Sequence, residues 1–157
     1  EDALLLNPSN SMAHAVRAWA LSFQGEYREA ESSIKRALEL DPNNALAHAY
    51  FVEILIDSYY SGLSSFENIE KAVEESRVAQ ALAPDLLETH RARGYVLEAT
   101  GNYEEAIREY EAAIAINRNI ADLHLRRGSG GIYERQRTQP RRPHPRPAHV
   151  SHLRNHR

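Results

Sequence analysis

The chain has 157 residues, 42% of them hydrophobic, with no cysteine and a net charge of −3. That length suits one ordinary domain, and without cysteine neither disulfides nor thiolate metal sites can form. No run of about 18 apolar residues is present to span a membrane as a helix.

Residues 1–8 read as the tail of a helix, because Ala3 and Pro8 stand where Ala37 and Pro42 stand one period later. The chain is therefore expected to open inside a repeating unit and to be a piece of a longer protein. The first full unit starts after Asn10, a residue type that caps helices well, and runs as a helix from Ser11 to about Gln24. Gly25 suits a helix end that needs positive φ. A second helix is expected from Tyr27 to Leu40, with Ala30, Ile34, Ala37 and Leu38 on one stripe. It stops at Asp41-Pro42, since the residue before proline is pushed out of helical geometry. Asn43 and Asn44 can cap the next helix.

The middle unit is stretched. Between Ile56 and Ala72 it holds eight extra residues, in a stretch containing Tyr59, Tyr60, Ser61, Gly62, Ser64 and Ser65. A longer loop is expected there, with the next helix opening near Glu67. The third unit returns to the first pattern: a helix from Leu87 to Thr100, a break at Gly101, and a capping box of Asn102 with Glu105. The segment 25–31, GEYREAE, compares directly with 101–107, GNYEEAI.

A fourth unit begins at Ala121 and fails after Gly128, where Gly130 and Gly131 follow. Charge marks the same boundary. Residues 1–128 carry 12 Lys and Arg against 21 Asp and Glu, a balance of −9, while 129–157 carry seven Arg against Glu134, a balance of +6. Pro140, Pro143, Pro145 and Pro147 forbid a continuous helix there, so 129–157 is expected to be a disordered Arg/Pro/His tail. Its lysine-free composition looks like a reading-frame slip or an unrelated terminus. Nucleic-acid association through its arginines is the weaker reading, because no aromatic residues are interleaved for base stacking.

The periodicity is the strongest signal. Ala30, Ile34, Ala37 and Pro42 recur as Ala72, Ser76, Ala79 and Pro84, then as Ala106, Tyr110, Ala113 and Arg118. Pro8 to Pro42 is 34 residues, Pro42 to Pro84 is 42, and Ala79 to Ala113 is 34. A period in the thirties denotes one supersecondary unit stacked on copies of itself. It places function on an extended surface, not in a deep catalytic pocket.

With small residues at the helix crossing (Ala18 with Ala30, Gly94 with Ala106) and the closing Pro8, Pro42 and Pro84, the pattern resembles the tetratricopeptide repeat family over residues 1–128. The expected units are the end of one repeat at 1–10, repeats at 11–44, 45–86 and 87–120, and the start of a fourth at 121–128. The resemblance implies an all-α fold, a right-handed superhelix (solenoid) of antiparallel helix pairs. Some positions depart from the family pattern. His14, His48, His90 and His124 take an aromatic position, Arg17, Phe51, Arg93 and Arg127 a leucine position, and Val52 a small one.

Four equivalent histidines raise a metal reading, which the spacing disfavours. Successive first helices lie roughly 8–10 Å apart while zinc–nitrogen bonds are about 2 Å, and no carboxylate is expected to recur beside them. No phosphate loop, His-Glu-x-x-His or nucleophile elbow is present. Glu74-Glu75 and Glu104-Glu105 read as solvated helix faces. No enzyme activity, cofactor or metal is expected of these residues.

The resemblance implies a concave groove lined by the first helices, where protein or peptide partners bind. The residues expected to serve it are Met12, Trp19 and Phe23, then Glu53 and Asp57, then Glu88, Arg91, Tyr95 and Glu98. Ala15, Ser22, Leu46, Ala49 and Ile56 line it too. Exposed aromatics with an arginine are favoured types at binding hot spots. The Lys/Asn clamp with which some members hold a terminal carboxylate is not matched, since Ala15 and Trp19 occupy its first two places. Four carboxylates on this surface favour a mixed or basic peptide. Two rival readings stand beside the scaffold: a recruitment array of an enzyme whose catalytic part lies elsewhere, and the nucleic-acid reading of the tail. Repeat arrays need polar caps, so uncapped ends carry an expectation of self-association.

Overall fold

A computed structural model describes residues 10–117, and there six α-helices alternate with short turns. They are α1 (Ser11–Phe23), α2 (Tyr27–Leu40), α3 (Ala45–Tyr60), α4 (Glu67–Leu82), α5 (Leu87–Ala99) and α6 (Tyr103–Ile116). Their limits follow from local chemistry. Asn10 caps α1 by accepting from the Ala13 N–H at 3.1 Å, and Asn44 caps α3 by accepting from the Ala47 N–H at 3.0 Å. Gly25 (φ +79°) and Gly101 (φ +83°) reverse the chain after α1 and α5, in a left-handed conformation that other residues resist.

Two local expectations are corrected. Asn102 makes no side-chain cap; its Nδ2 donates instead to Thr100 Oγ1 at 3.0 Å, so the capping box does not form. The extra residues of the middle unit are not all loop. Tyr59 and Tyr60 belong to α3, because nothing breaks the helix before Ser61-Gly62. As a result α3 and α4 are each 16 residues long against 13 and 14 for α1 and α2, and the loop spans 61–66 where the first unit has 24–26.

Helices pair as α1·α2, α3·α4 and α5·α6, and each hairpin leans on the next through α1·α3, α2·α3, α3·α5 and α4·α5. The arrangement is an all-α solenoid of helix pairs. Small residues permit it: Ala18, Ala30, Ala72 and Ala106 have no exposed surface. A methyl at Gly94 would overlap the Tyr110 ring. Helix α3, covered by both neighbours and by its own partner, is buried without interruption from Ala47 to Ile56, the signature of an interior helix. Its Phe51, Val52, Ile54, Leu55 and Ile56 form the core with Ile34. The expected end unit at 1–10 (apart from the cap Asn10), the fourth unit at 121–128 and the tail at 129–157 lie outside the described residues.

Candidate functional site

The helices α1, α3 and α5 stand side by side and present one face, and one residue from each hairpin meets there. The Trp19 indole Nε1 donates to Glu53 Oε2 at 3.1 Å. Arg91 donates from Nε to Glu53 Oε1 at 2.8 Å and brings Nη2 to the same oxygen at 2.7 Å. The Arg91 guanidinium also lies over the Trp19 ring, 5.6 Å from its centroid, within range for a cation–π contact. Trp19 stacks on Tyr50 at 5.2 Å and meets the edge of Phe23 at 4.7 Å.

Burial divides the nine expected residues. Glu53 and Arg91 are only 7% and 5% exposed, so they form a floor and are not offered to solvent as the open-groove reading required. The physical reason is mutual: an isolated buried charge is costly, and each ion supplies the other's partner. Around this floor, Trp19, Asp57, Glu88, Tyr95 and Glu98 are half-buried, while Met12 and Phe23 are exposed. Glu98 accepts from the Tyr110 hydroxyl at 3.0 Å. Tyr95 sits edge-on to Tyr110 at 5.9 Å, so α5 and α6 share these two rings.

The electrostatics follow from the burial. Desolvation holds the Glu53 carboxyl above its ordinary range, although Arg91 and the Trp19 N–H pull against it. Burial tends to lower the Arg91 pKa, but the Glu53 charge and hydrogen bond, with Tyr95 and Tyr50, together more than offset it and the guanidinium stays firmly charged. Burial pushes Asp57 up to about 6, with Arg91 opposing. The Tyr50 phenol is pushed up to about 12 by burial, then by Glu88 and Glu53. Tyr95 rises for the same first reason.

Sequence reasoning missed Tyr50. The signal was available, since Tyr50 lies three residues before Glu53 on the same helix and so shares its face. It also missed a recurring carboxylate beside the histidines. Glu75 and Glu109 occupy equivalent places on α4 and α6, and they receive His48 Nδ1 at 2.6 Å and His90 Nδ1 at 2.8 Å. Glu75 is therefore part of a clasp within the hairpin, while Glu74 is exposed beside Arg77 as expected. In the first hairpin the equivalent residue is Ser33, which donates to the His14 carbonyl at 3.1 Å. His48 faces acceptors with both ring nitrogens, Nε2 lying 2.9 Å from the Pro42 carbonyl. Burial alone would lower its pKa, but Glu75 and Pro42 raise it above the ordinary value. Among the described residues no three His, Asp or Glu side chains converge to hold a metal ion, and no helix is long and apolar enough to cross a membrane.

Known proteins share this architecture. The family model for the tetratricopeptide repeat matches residues 11–44 and 87–120. Human tetratricopeptide repeat protein 6 is 24% identical over 137 residues, covering 87% of this chain and 25% of that protein. The DnaJ homolog subfamily C member 7 homolog of Schizosaccharomyces pombe is 31% identical over 124 residues, covering 74% of this chain and 26% of that protein. The chain thus spans about a quarter of the length of these curated relatives. Among solved structures, the first TPR domain of human RPAP3 aligns with a TM-score of 0.57 at 19% identity, covering 85% of this chain and 100% of that one.

Proposed function

The chain belongs to the tetratricopeptide repeat family, whose repeats mediate protein–protein interactions, and from that premise we propose that its first-helix face is a groove for a partner segment rich in basic and apolar side chains. The observation that carries this reading is the division of that face into a neutralised floor and an acidic, partly apolar rim. Glu53 and Arg91 cancel each other. Asp57 and Glu88 stand around them, with Glu98 held by the Tyr110 hydroxyl, beside the exposed Met12 and Phe23. A segment laid across α1, α3 and α5 would set cationic side chains against the carboxylates and apolar ones on Phe23 and Met12. Rim charges of this kind steer association and are weakened by salt. Because the aromatic anchors are already held edge to face and stacked, little side-chain entropy remains to be lost on binding.

Trp19 is the single tryptophan of the chain, so its emission reports directly on this face. Titration with an amidated peptide alternating Lys and Leu should change that emission saturably, and the same peptide with Glu for Lys should not. Phe23→Ala combined with Glu88→Gln should weaken the first titration about tenfold, roughly 1.4 kcal/mol. Equal affinity for the two peptides would refute the charge preference, and a silent Trp19 with proven binding would move the site elsewhere.

A further inference from the structure

The insertion gives the middle hairpin a longer loop than its sisters, 61–66 against 24–26 and 100–102. That loop folds back toward the start of α2 and, through Leu63 and Ser64, borders an open cleft of about 440 Å³ against Gly25, Glu26, Glu29 and Ser58. That volume lies within the range of small-ligand and side-chain pockets. The loop is a built structure: the Leu63 N–H donates to the Ser58 carbonyl at 3.1 Å, and the Gly62 N–H to the Tyr59 carbonyl at 3.0 Å. Ser61 Oγ donates to the Tyr27 hydroxyl at 3.1 Å and ties the loop to α2. None of the nine residues assigned to the first-helix face lines this cleft.

Two features of the cleft point to one kind of occupant: its carboxylates and an apolar side chain at its edge. Glu26 and Glu29 are exposed at the opening, whereas Glu31 is already held by Lys35 at 2.7 Å. Arg28 is the single cation among the lining residues, so carboxylates prevail. Beside them Leu63, which lines the cleft, is 68% exposed. We propose that this cleft is a second docking site, taking an Arg or Lys side chain of a protein partner whose adjacent apolar residue covers Leu63. The cation would meet Glu26 and Glu29, and the apolar neighbour would remove exposed hydrocarbon from water.

The test uses the full chain, isotopically labelled for amide NMR, with acetyl-Leu-Arg-Leu-amide as the probe. Saturable shifts are expected at Gly25, Tyr27, Leu63 and Ser64, with the Trp19 indole signal little moved. Replacing the arginine by citrulline should weaken binding about tenfold, as should Glu26→Gln with Glu29→Gln, the scale of one charge-assisted hydrogen bond. Leu63→Ser, at an exposed position that the fold does not need, should weaken it as well. Shifts confined to the Trp19 face, or no saturable shift at these amides, would overturn the proposal. So would shifts at these amides that grow with the concentration of the chain alone, since they would assign the cleft to a second copy.

Discussion

The floor and the rim of the first-helix face are built from the same residue types, yet they carry opposite duties. Glu53 on the floor is buried, paired with Arg91 and capped by the Trp19 N–H. Glu88 on the rim is half-buried on the next first helix. What separates them is position in the stack. The middle helix is covered by neighbours on both sides, so its polar residues must find partners within the protein. The flanking helix α5 turns Arg91 inward to meet that need and leaves Glu88 half-buried at the edge.

The sharpest way to break the distinction is to remove one ion of the floor. Arg91→Met leaves Glu53 buried without its counter-charge and should destabilise the chain by about 3–5 kcal/mol, read as a lowered urea midpoint with unchanged slope. Adding Glu53→Gln should recover part of that loss, because a neutral amide can stay buried and still accept from Trp19. If Arg91→Met costs less than about 1 kcal/mol, the floor is not a floor.

Asp57 lies between the two regimes. Its carboxyl is raised from 3.8 to about 6, so the folded state disfavours the ionised form. Stability is then greatest below pH 3.8 as far as this group is concerned, and it falls as pH rises from there through 6. Asp57→Asn should abolish that decline and stabilise the chain at neutral pH by on the order of 2 kcal/mol. A variant with the same pH profile as the parent would show that Asp57 is solvated like the rim.

The smallest effect on stability belongs to the rim itself. Glu88→Gln should change the unfolding free energy by no more than about 0.5 kcal/mol, while weakening the salt-sensitive part of basic-peptide binding. A large loss of stability would place Glu88 with the floor.

The helices were largely legible in the sequence, and the site was not. Asp41-Pro42, Gly25 and the capping Asn10 act over a few residues, so they set the ends of α1 and α2 correctly. The repeat of alanines across 34 and 42 residues marked the crossings that Gly94 and Tyr110 now exemplify. Tyr59 and Tyr60 were misplaced because Ser and Gly nearby outweighed two aromatic residues that a helix tolerates. The meeting of Trp19, Glu53 and Arg91 could not be read. Arg91 and Glu53 are 38 residues apart, on the first helices of adjacent hairpins, and their pairing depends on how those two helices pack. Periodicity says which residues share a face, not which of them the neighbouring unit will cover.

The claim that one residue from each hairpin ties this face together is tested most directly between Trp19 and Arg91. The strong helix contacts run within hairpins and between adjacent ones, and none joins the first to the third. A double-mutant cycle with Trp19→Phe and Arg91→Met in urea unfolding should therefore isolate the tie. We expect a coupling energy of about 1 kcal/mol. Effects that add to within about 0.3 kcal/mol would show that the first and third hairpins do not feel each other, and the three-unit floor would be contradicted.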